Sequence, residues 1–312
     1  MKNNKKKFLV LFLLLVVSIS VLTSCSKKDE VVEQVEQKEE VEEKEITIVD
    51  ALDREITVSL PIEKAVVLNR NTLELIKLID SYETIVGFGD KANELNPYLG
   101  FEGKEYVGAN KDLNIEAIIG LSPDVVFAHP NRNLELEEML DPLGIKVIRL
   151  SNYLPHTLDE EALIVGQLFQ KEDRVEEYLN WKKDIQTLVE DRTKGLKEED
   201  KKTVLALNSG APKDEFSIYP SKSLGGEAGV GEGMASILAG GIDPSEVEWD
   251  PTVASTTVKV DPEMVLEINP DIITLNNSWY GGYEAKDTEE FDAIKHTLLN
   301  ETNTFKKLKA AE

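Results

Sequence analysis

Residues 114–126 read NIEAIIGLSPDVV and residues 261–273 read DPEMVLEINPDII, so one pattern with a glutamate, paired aliphatic residues and Pro-Asp occurs twice. The first residue of each copy, Asn114 or Asp261, is of a type that caps helix starts, and the aliphatic residues after it have helical spacing. Pro-Asp and a β-branched run then predict the end of the helix and the start of a buried strand. The chain therefore contains one helix-to-strand unit in two copies, which start 147 positions apart, at 114 and 261.

Two copies at this distance predict two similar lobes, since a solenoid would repeat every 20 to 50 residues or so. Apolar runs typical of buried strands alternate with helical patterns along the chain. The strand candidates are residues 65–68, 84–88, 124–128, 146–150, 203–207 and 271–275, and the helix candidates are residues 72–79, 114–121, 134–142, 232–239, 261–268 and 288–299. Such alternation predicts parallel sheets covered on both faces. We therefore expect an α/β fold of two Rossmann-like lobes.

A helical region between the two halves is predicted to join them. Its second part carries apolar residues at helical spacing over some 23 residues, namely Val175, Tyr178, Leu179, Ile185, Leu188 and Val189. A single long helix between the lobes favours a small rocking motion over a wide hinge closure. The expected division is a first lobe at residues 46–156, the helical region at residues 157–200 and a second lobe at residues 201–312.

Residues 1–24 have the pattern of a lipoprotein signal peptide. Four lysines precede an apolar run at residues 8–22, which is shorter than the roughly 20 residues of a membrane span. The run ends in Leu-Thr-Ser before Cys25, the sole cysteine of the chain, and this is a lipobox. Cleavage there would leave a cysteine with lipid, such as palmitate, on its thiol and its new amino group, and two such signals give stable anchoring. An ordinary signal peptide with a chance cysteine is the alternative.

The lipidated cysteine and an acidic tether are predicted for residues 25–45. Residues 27–45 hold four lysines, nine acidic residues and no aromatic residue, a composition that cannot bury a core. The whole chain carries a net charge of −24, and without the signal peptide and the tether the globular part carries −23. Phosphate binding needs a basic patch, so nucleic acid is excluded as a partner.

Polar and aromatic side chains follow the predicted strands, at the edge where open parallel sheets bind ligands. The ligand candidates are Arg70, His129, Arg132 and Tyr153 in the first lobe and Tyr219, Asn276, Trp279 and Tyr280 in the second. Forked guanidinium donors suit carboxylates and chelated oxygens, and aromatic rings form flat apolar walls. The pattern predicts a cleft for a ligand that is part planar and part oxyanionic. Three alternatives stay open: the arginines as surface ion-pair residues, Trp279 and Tyr280 as lobe packing, and His129 as a local hydrogen-bonding residue.

Catalytic motifs are missing from the sequence. It has no G-x-S-x-G, H-E-x-x-H or C-x-x-C sequence and no P-loop, and the glycines of residues 225–233, GGEAGVGEG, lack the G-x-G-x-x-G spacing after a strand. The three histidines, at positions 129, 156 and 296, are far apart, which disfavours a histidine-rich metal site. We expect a binding protein, with no enzyme activity, no cofactor and no metal site of its own.

The repeated unit places Glu116 and Glu263 at the same point of both copies. A carboxylate in the first turn of a helix is favoured by the helix dipole, which explains either residue alone. One protruding carboxylate per lobe would also suit two basic sites on a two-fold symmetric partner.

The chain resembles a known family from about Ile46 to its end. Residues 46–68, ITIVDALDREITVSLPIEKAVVL, look like the opening of the substrate-binding lipoproteins of ABC importers for iron-siderophores, haem and cobalamin, and both copies of the repeat are similar to their best-marked segments. The resemblance implies two lobes joined by one long helix, a ligand between them, and docking of Glu116 and Glu263 on permease arginines. It also implies that His129 and the loops at residues 131–133 and 277–283 line the cleft.

The resemblance implies a lipid-anchored monomer on the extracytoplasmic face of the cell membrane, which delivers a ferric siderophore to a permease dimer. Haem, cobalamin and other metal chelates are alternatives. Cobalamin-binding members flank the corrin with aromatic residues, whereas the matching positions here are Asn110 and His129. A lipid-anchored α/β enzyme and an adhesion lipoprotein are the more distant alternatives. The second lobe is expected to be shorter than in family members, because the chain stops at FKKLKAAE.

Overall fold

The computed structural model describes residues 44–208, 215–226, 228–253, 255–276 and 285–311. The strands are β1 (Lys44–Val49), β2 (Glu55–Leu60), β3 (Ala65–Val67), β4 (Ile85–Phe88), β5 (Glu105–Tyr106), β6 (Val125–Ala128), β7 (Lys146–Arg149), β8 (Val204–Asn208), β9 (Phe216–Ile218), β10 (Lys222–Ser223), β11 (Glu248–Trp249), β12 (Val258–Val260) and β13 (Ile272–Leu275). The α-helices are α1 (Arg70–Leu78), α2 (Ala92–Leu95), α3 (Ile115–Leu121), α4 (Leu136–Leu140), α5 (Leu158–Leu168), α6 (Glu172–Thr193), α7 (Gly231–Leu238), α8 (Pro262–Ile268) and α9 (Thr288–His296). The predicted α/β fold is confirmed.

The first lobe is built on a five-stranded parallel sheet in the order β5-β4-β3-β6-β7. Strands β3 and β6 are fully buried and consist only of apolar residues, as expected for strands covered on both faces. The chain runs outward to one side of β3 through β4 and β5, and to the other side through β6 and β7. The order therefore reverses between β3 and β6, and this switch point is where ligands of such sheets bind.

The two copies of the repeat fold in the same way. Asn114 caps α3 by accepting a hydrogen bond from the backbone N–H of Ala117 at 2.9 Å, and Asp261 caps α8 by accepting one from that of Glu263, also at 2.9 Å. Each helix ends at a residue with a left-handed backbone, which turns the chain into the strand that follows. The predicted helix-to-strand unit is thus present in both halves.

The second lobe has a mixed sheet where parallel pairing was expected. Its order is β12-β9-β8-β13, in which only β8 and β13 pair in parallel and the other two pairings are antiparallel. The reason is that only seven residues, 209–215, separate β8 from β9, which are too few for the crossover connection that parallel pairing needs. The strand of the second repeat, β13, belongs to this parallel pair.

The long helix is confirmed as α6, with 22 residues. Val175 is fully buried in the core of the first lobe and Leu179 packs against it. The second half of the predicted apolar face is not buried: Ile185 and Leu188 are 45% and 48% exposed. The apolar periodicity therefore continues beyond the part of the helix that packs on the first lobe. Among the helices of the described ranges, none combines the length and apolar character that crossing a bilayer demands.

An antiparallel hairpin, β1 and β2, precedes the first lobe and packs into its core through Ile48, Val58 and Leu60. Its turn lies at the carboxyl end of β7, where the backbone N–H of Ala51 donates to the carbonyl oxygen of Arg149 at 2.9 Å. The opening segment of the globular part thus reaches the ligand edge of the sheet.

Candidate ligand-binding cleft

The carboxyl ends of β3 and β7 are joined by Asn69. Its side-chain amide donates to the carbonyl oxygens of Leu150 and Ser151 at 2.7 and 3.1 Å, and its Oδ1 accepts from the N–H of Asn71 to cap α1. All these contacts hold the scaffold together. Asn69 therefore sets the edge of the sheet from which Arg70 projects.

Arg70 and Arg132 converge on one carboxylate, that of Asp90. Arg70 Nε lies 3.1 Å from Oδ2 and an Arg132 terminal nitrogen lies 3.1 Å from Oδ1, and both arginine side chains stay 37% exposed. The structure thus brings the two candidate arginines together through an ion pair with one carboxylate of the first lobe, and their role in ligand binding stays a prediction. Two guanidinium groups on one carboxylate leave a net positive charge at the switch point, with unused donors that face solvent. Asp90 was missed by sequence reasoning, although it lies two residues after β4 and the strand-end criterion would have found it.

His129 forms a stacked pair with Tyr153, with ring centroids 5.8 Å apart. Its Nδ1 accepts from the backbone N–H of Asn131 at 3.2 Å, so in the neutral ring Nε2 carries the proton and donates to the Tyr153 hydroxyl, 3.3 Å away. Burial, reinforced by the positive charges of Arg132 and Arg149, lowers the pKa of His129 to about 4. The pair presents an uncharged, flat surface at neutral pH.

In the second lobe, Tyr219 and Asn276 lie around a carboxylate that the sequence analysis had not singled out. Glu232, in the first turn of α7, accepts a hydrogen bond from the Asn276 amide at 2.6 Å. Burial, assisted by the charge of Glu232, raises the pKa of Tyr219 to about 12. The pKa of Tyr153 is raised mainly by burial, then by Glu161, and to a smaller extent by Glu232. Glu232 therefore lies near Tyr153 of the first lobe as well as Tyr219 of the second. The sequence places Glu232 at the start of a predicted helix, and that position alone does not predict its closeness to the two tyrosines.

Two glycines of the GGEAGVGEG segment, Gly229 and Gly233, serve packing. A Cβ on Gly229 would lie 2.2 Å from the carbonyl oxygen of Pro220, and one on Gly233 would lie 2.5 Å from those of Tyr219 and Pro220. Only glycine lets α7 approach the backbone beside Tyr219 so closely. These residues position Glu232 and do not cradle a phosphate.

Two cavities, each of about 740 Å³, are lined by these candidate residues and their neighbours. One is lined by the hairpin turn at residues 50–53, by His129 and Tyr153, and by Trp249 of the second lobe; the other is lined by Tyr219, Glu232 and Asn276. A smaller one, of about 320 Å³, is lined by Asn110 and Arg132 among others. The candidates are therefore distributed over three cavities, and Arg70 lines none of these three. Trp249, in a two-residue strand, carried no signal in the sequence.

Several predicted residues fall outside the described ranges. These are Cys25, Trp279 and Tyr280. Their roles stay predictions. Within the described ranges, no three His, Cys, Asp or Glu side chains form a cluster that could hold a metal ion.

Glu116 and Glu263 are both exposed, each in the first turn of its helix. Neither side chain has an ion pair or hydrogen bond with another described residue. Their carboxylates are therefore available to a partner, and the repeat makes their local settings equivalent.

A family model described as periplasmic binding protein matches residues 66–230, just over half of the 312-residue chain. Among curated relatives, YvrC of Bacillus subtilis, an uncharacterized ABC transporter substrate-binding lipoprotein, is 22% identical over 261 residues, which are 80% of this chain and 76% of YvrC. The molybdate-binding protein MolA of Haemophilus influenzae is 32% identical over 112 residues, which are 33% of this chain and 31% of MolA. The chain thus matches less than a third of MolA in sequence.

Solved structures share the fold over most of the chain. MolA bound to molybdate has a TM-score of 0.60 at 20% identity, with 85% of this chain and 80% of MolA covered. FeuA of Bacillus subtilis, a triscatecholate siderophore binding protein solved with ferri-bacillibactin, has a TM-score of 0.61 at 19% identity, with 85% of this chain and 86% of FeuA covered. Identities this low show a common fold alone.

Proposed function

The chain belongs to the periplasmic binding protein family, and from that premise we propose that it captures a ferric chelate outside the cell and delivers it to the permease of an ABC importer. It is a substrate-binding protein of an ABC transporter and not an enzyme. The ligand, the lipid anchor and the docking residues are the proposed parts.

The observation that carries the proposal is the pair Arg70 and Arg132 on Asp90, beside the neutral His129–Tyr153 surface. Guanidinium groups with free donors bind oxyanionic groups, and flat apolar rings bind planar ones. A ferric siderophore offers both, since catecholate or hydroxamate oxygens surround the iron. The name of FeuA, which was solved with ferri-bacillibactin, agrees with this ligand class.

Molybdate is a second candidate. The local identity to MolA favours it, and a small oxyanion would suit the two arginines. The cavity that contains His129 and Tyr153 favours the chelate, because about 740 Å³ far exceeds the volume of one molybdate ion.

The permease is proposed to be contacted by Glu116 and Glu263. Both are exposed and without partners among the described residues, and the repeat presents one in each lobe. Carboxylates in such positions add Coulomb attraction to basic groups on a membrane partner and speed encounter. Cys25 is proposed to hold the protein at the membrane surface through its lipid, with residues 27–45 as the spacer; YvrC is also named a lipoprotein.

Native mass spectrometry tests the ligand directly. The chain from residue 25 onward, with Cys25→Ser, is incubated with ferri-bacillibactin, a ferric hydroxamate, haem, cobalamin and molybdate together. We expect one retained ferric siderophore. Retention of molybdate alone would replace the chelate by the second candidate, and a folded protein that retains nothing would refute both.

A further inference from the structure

Arg149, the last residue of β7, is 1% exposed and uses all of its side-chain donors. Nε and one terminal nitrogen donate to the two carboxylate oxygens of Glu137 at 2.6 and 2.7 Å. The remaining donors bind the backbone carbonyl oxygens of His129, Arg132 and Asn133 at 2.8, 2.7 and 2.8 Å. A guanidinium has five N–H donors, so none is left for another role.

Three of those acceptors belong to one loop, residues 129–133, which follows β6. The loop has no regular secondary structure, and Asn133 has a left-handed backbone with φ 50°. Buried carbonyl groups need partners, and one side chain binds three of them here. The carbonyl oxygens of His129 and Asn133 also accept from the backbone N–H groups of Arg132 and Leu136, at 3.3 and 3.2 Å. The same loop carries His129 and Arg132, so Arg149 fixes the backbone from which two ligand candidates project.

Arg149 is itself held in a closed ring of ion pairs and one backbone hydrogen bond. Glu137, in the first turn of α4, also accepts from Arg54, and Arg54 pairs with Asp50. Asp50 in turn accepts from the backbone N–H of Arg149 at 3.1 Å. Two arginines and two carboxylates give a neutral ring that links the hairpin turn, β7 and α4. Burial by itself would raise the pKa of Glu137. The pKa nevertheless lies below its ordinary value, because Arg149 donates a hydrogen bond to the carboxylate and the charges of Arg149 and Arg54 stabilise its ionised form.

We propose that Arg149 is a positioning residue for ligand capture, which holds loop 129–133 in its binding geometry, while Asp50, Arg54 and Glu137 hold Arg149. The identity of the ligand rests on the function proposed above; the positioning of the loop does not. Stability alone is a weak reason for this arrangement, because buried ion pairs are often replaced by apolar residues at no loss of stability. The ring reaches a cavity through one of its members, because Asp50 lines the cavity of about 740 Å³ that His129 and Tyr153 also line.

The test compares Arg149→Lys and Arg149→Met with a control that is destabilised elsewhere. Lysine keeps the charge and loses the fork, whereas methionine loses both and leaves Glu137 paired with Arg54. Ile218→Val is the control, since Ile218 is fully buried in the second lobe, far along the chain from the loop. All are made in the chain from residue 25 onward with Cys25→Ser.

Two readouts need no ligand. Hydrogen exchange of the backbone amides of residue 129 and residues 131–133 is expected to quicken at least about tenfold in both Arg149 variants. The pKa of His129, followed by NMR, should rise from about 4 toward the ordinary value near 6.5. In Arg149→Lys the positive charge persists, so a rise there reports loss of burial. Unchanged exchange and titration in both variants, or equal quickening in Ile218→Val, would overturn the proposal.

Binding is measured in parallel with ferri-bacillibactin and molybdate as the probes. A Kd weakened at least about tenfold in Arg149→Lys, with the control unchanged, supports positioning. Equal affinities in the unsubstituted protein, both Arg149 variants and the control would count against it. If the unsubstituted protein binds neither probe, a triscatecholate chelate and molybdate are both excluded as its ligand, and the exchange and titration data still decide the role of Arg149.

Discussion

Asp124 and Asp271 make the same contact in the two halves of the molecule. Asp124 Oδ2 accepts from the backbone N–H groups of Glu63 and Lys64, both at 2.8 Å, just before β3 begins. Asp271 Oδ2 accepts from the N–H and hydroxyl of Thr203, also both at 2.8 Å, just before β8 begins. The aspartate of each repeated Pro-Asp therefore ties the start of its own strand to the start of the neighbouring parallel strand.

Removal of the first of these carboxylates is expected to lower stability modestly. Asp124→Ala leaves two backbone donors without their acceptor, and since they lie near water the free energy of unfolding should fall by about 1 kcal/mol. Urea unfolding measures the change. Asp292→Ala, at an exposed position inside α9, is the matched control and should change stability by less than about 0.5 kcal/mol. Equal losses in the two variants would show that the contact contributes nothing specific.

Asp271 is expected to make stability depend on acid pH. The hydrogen bonds from Thr203 and Lys309 hold the pKa of Asp271 far below its ordinary value. A carboxylate with a depressed folded pKa contributes stability above its unfolded pKa, about 3.9, and loses it as pH falls below that value. Thermal unfolding of the unsubstituted protein and of Asp271→Asn should therefore differ at pH 7 and converge as pH falls from 4 toward 2. A constant difference would exclude ionisation of Asp271 as the cause.

His129 predicts a second, distinct pH dependence. Its folded pKa of about 4 lies below the unfolded value near 6.5, so between these values the unfolded chain binds more protons. Stability from the neutral ring is complete above about pH 6.5 and is lost as pH falls to about 4, by on the order of 3 kcal/mol. His129→Gln should flatten this part of the profile, whereas His296→Gln, at an exposed position, should not. A profile that His129→Gln leaves unchanged would contradict the neutral His129–Tyr153 pair.

The core of the first lobe was predictable from the sequence, and the contents of the cleft were predictable only in part. Apolar runs such as residues 65–67 and 125–128 can be recognised without knowing which strands they pair with. They are buried on both faces of the sheet, so every residue in them is apolar. The antiparallel course of β9 was not predictable, since three residues carry no periodic signal and pairing direction depends on the path of the chain. Arg149 looked like part of a strand, and its role depends on loop carbonyls that no side-chain pattern encodes.

Arg132 is expected to contribute to affinity for an anionic chelate. Arg132→Gln removes a guanidinium that can make charge-assisted hydrogen bonds, each worth about 1.5–3 kcal/mol, so the Kd for ferri-bacillibactin should rise at least about tenfold. Titration of tryptophan fluorescence measures it. Arg174→Gln is the control. Arg174 lies on the long helix α6, pairs with Asp80 and does not line the cavities described above. Equal affinity of the Arg132 variant and the control would remove Arg132 from the site.

Charge reversal at both repeated glutamates separates docking from ligand binding. Glu116→Lys with Glu263→Lys should abolish uptake of the radiolabelled iron chelate in cells, because each change turns attraction to a basic permease site into repulsion. The Kd for the chelate should stay within about twofold, since neither glutamate lines the cavities of the cleft. Glu267→Lys, an exposed position on the same helix α8, changes the charge without touching the first turn and should leave uptake intact. If the double variant transported normally, the role of both glutamates would be limited to stabilising their helix starts. If Glu267→Lys also stopped uptake, docking would depend on the overall charge of the protein and not on these two sites.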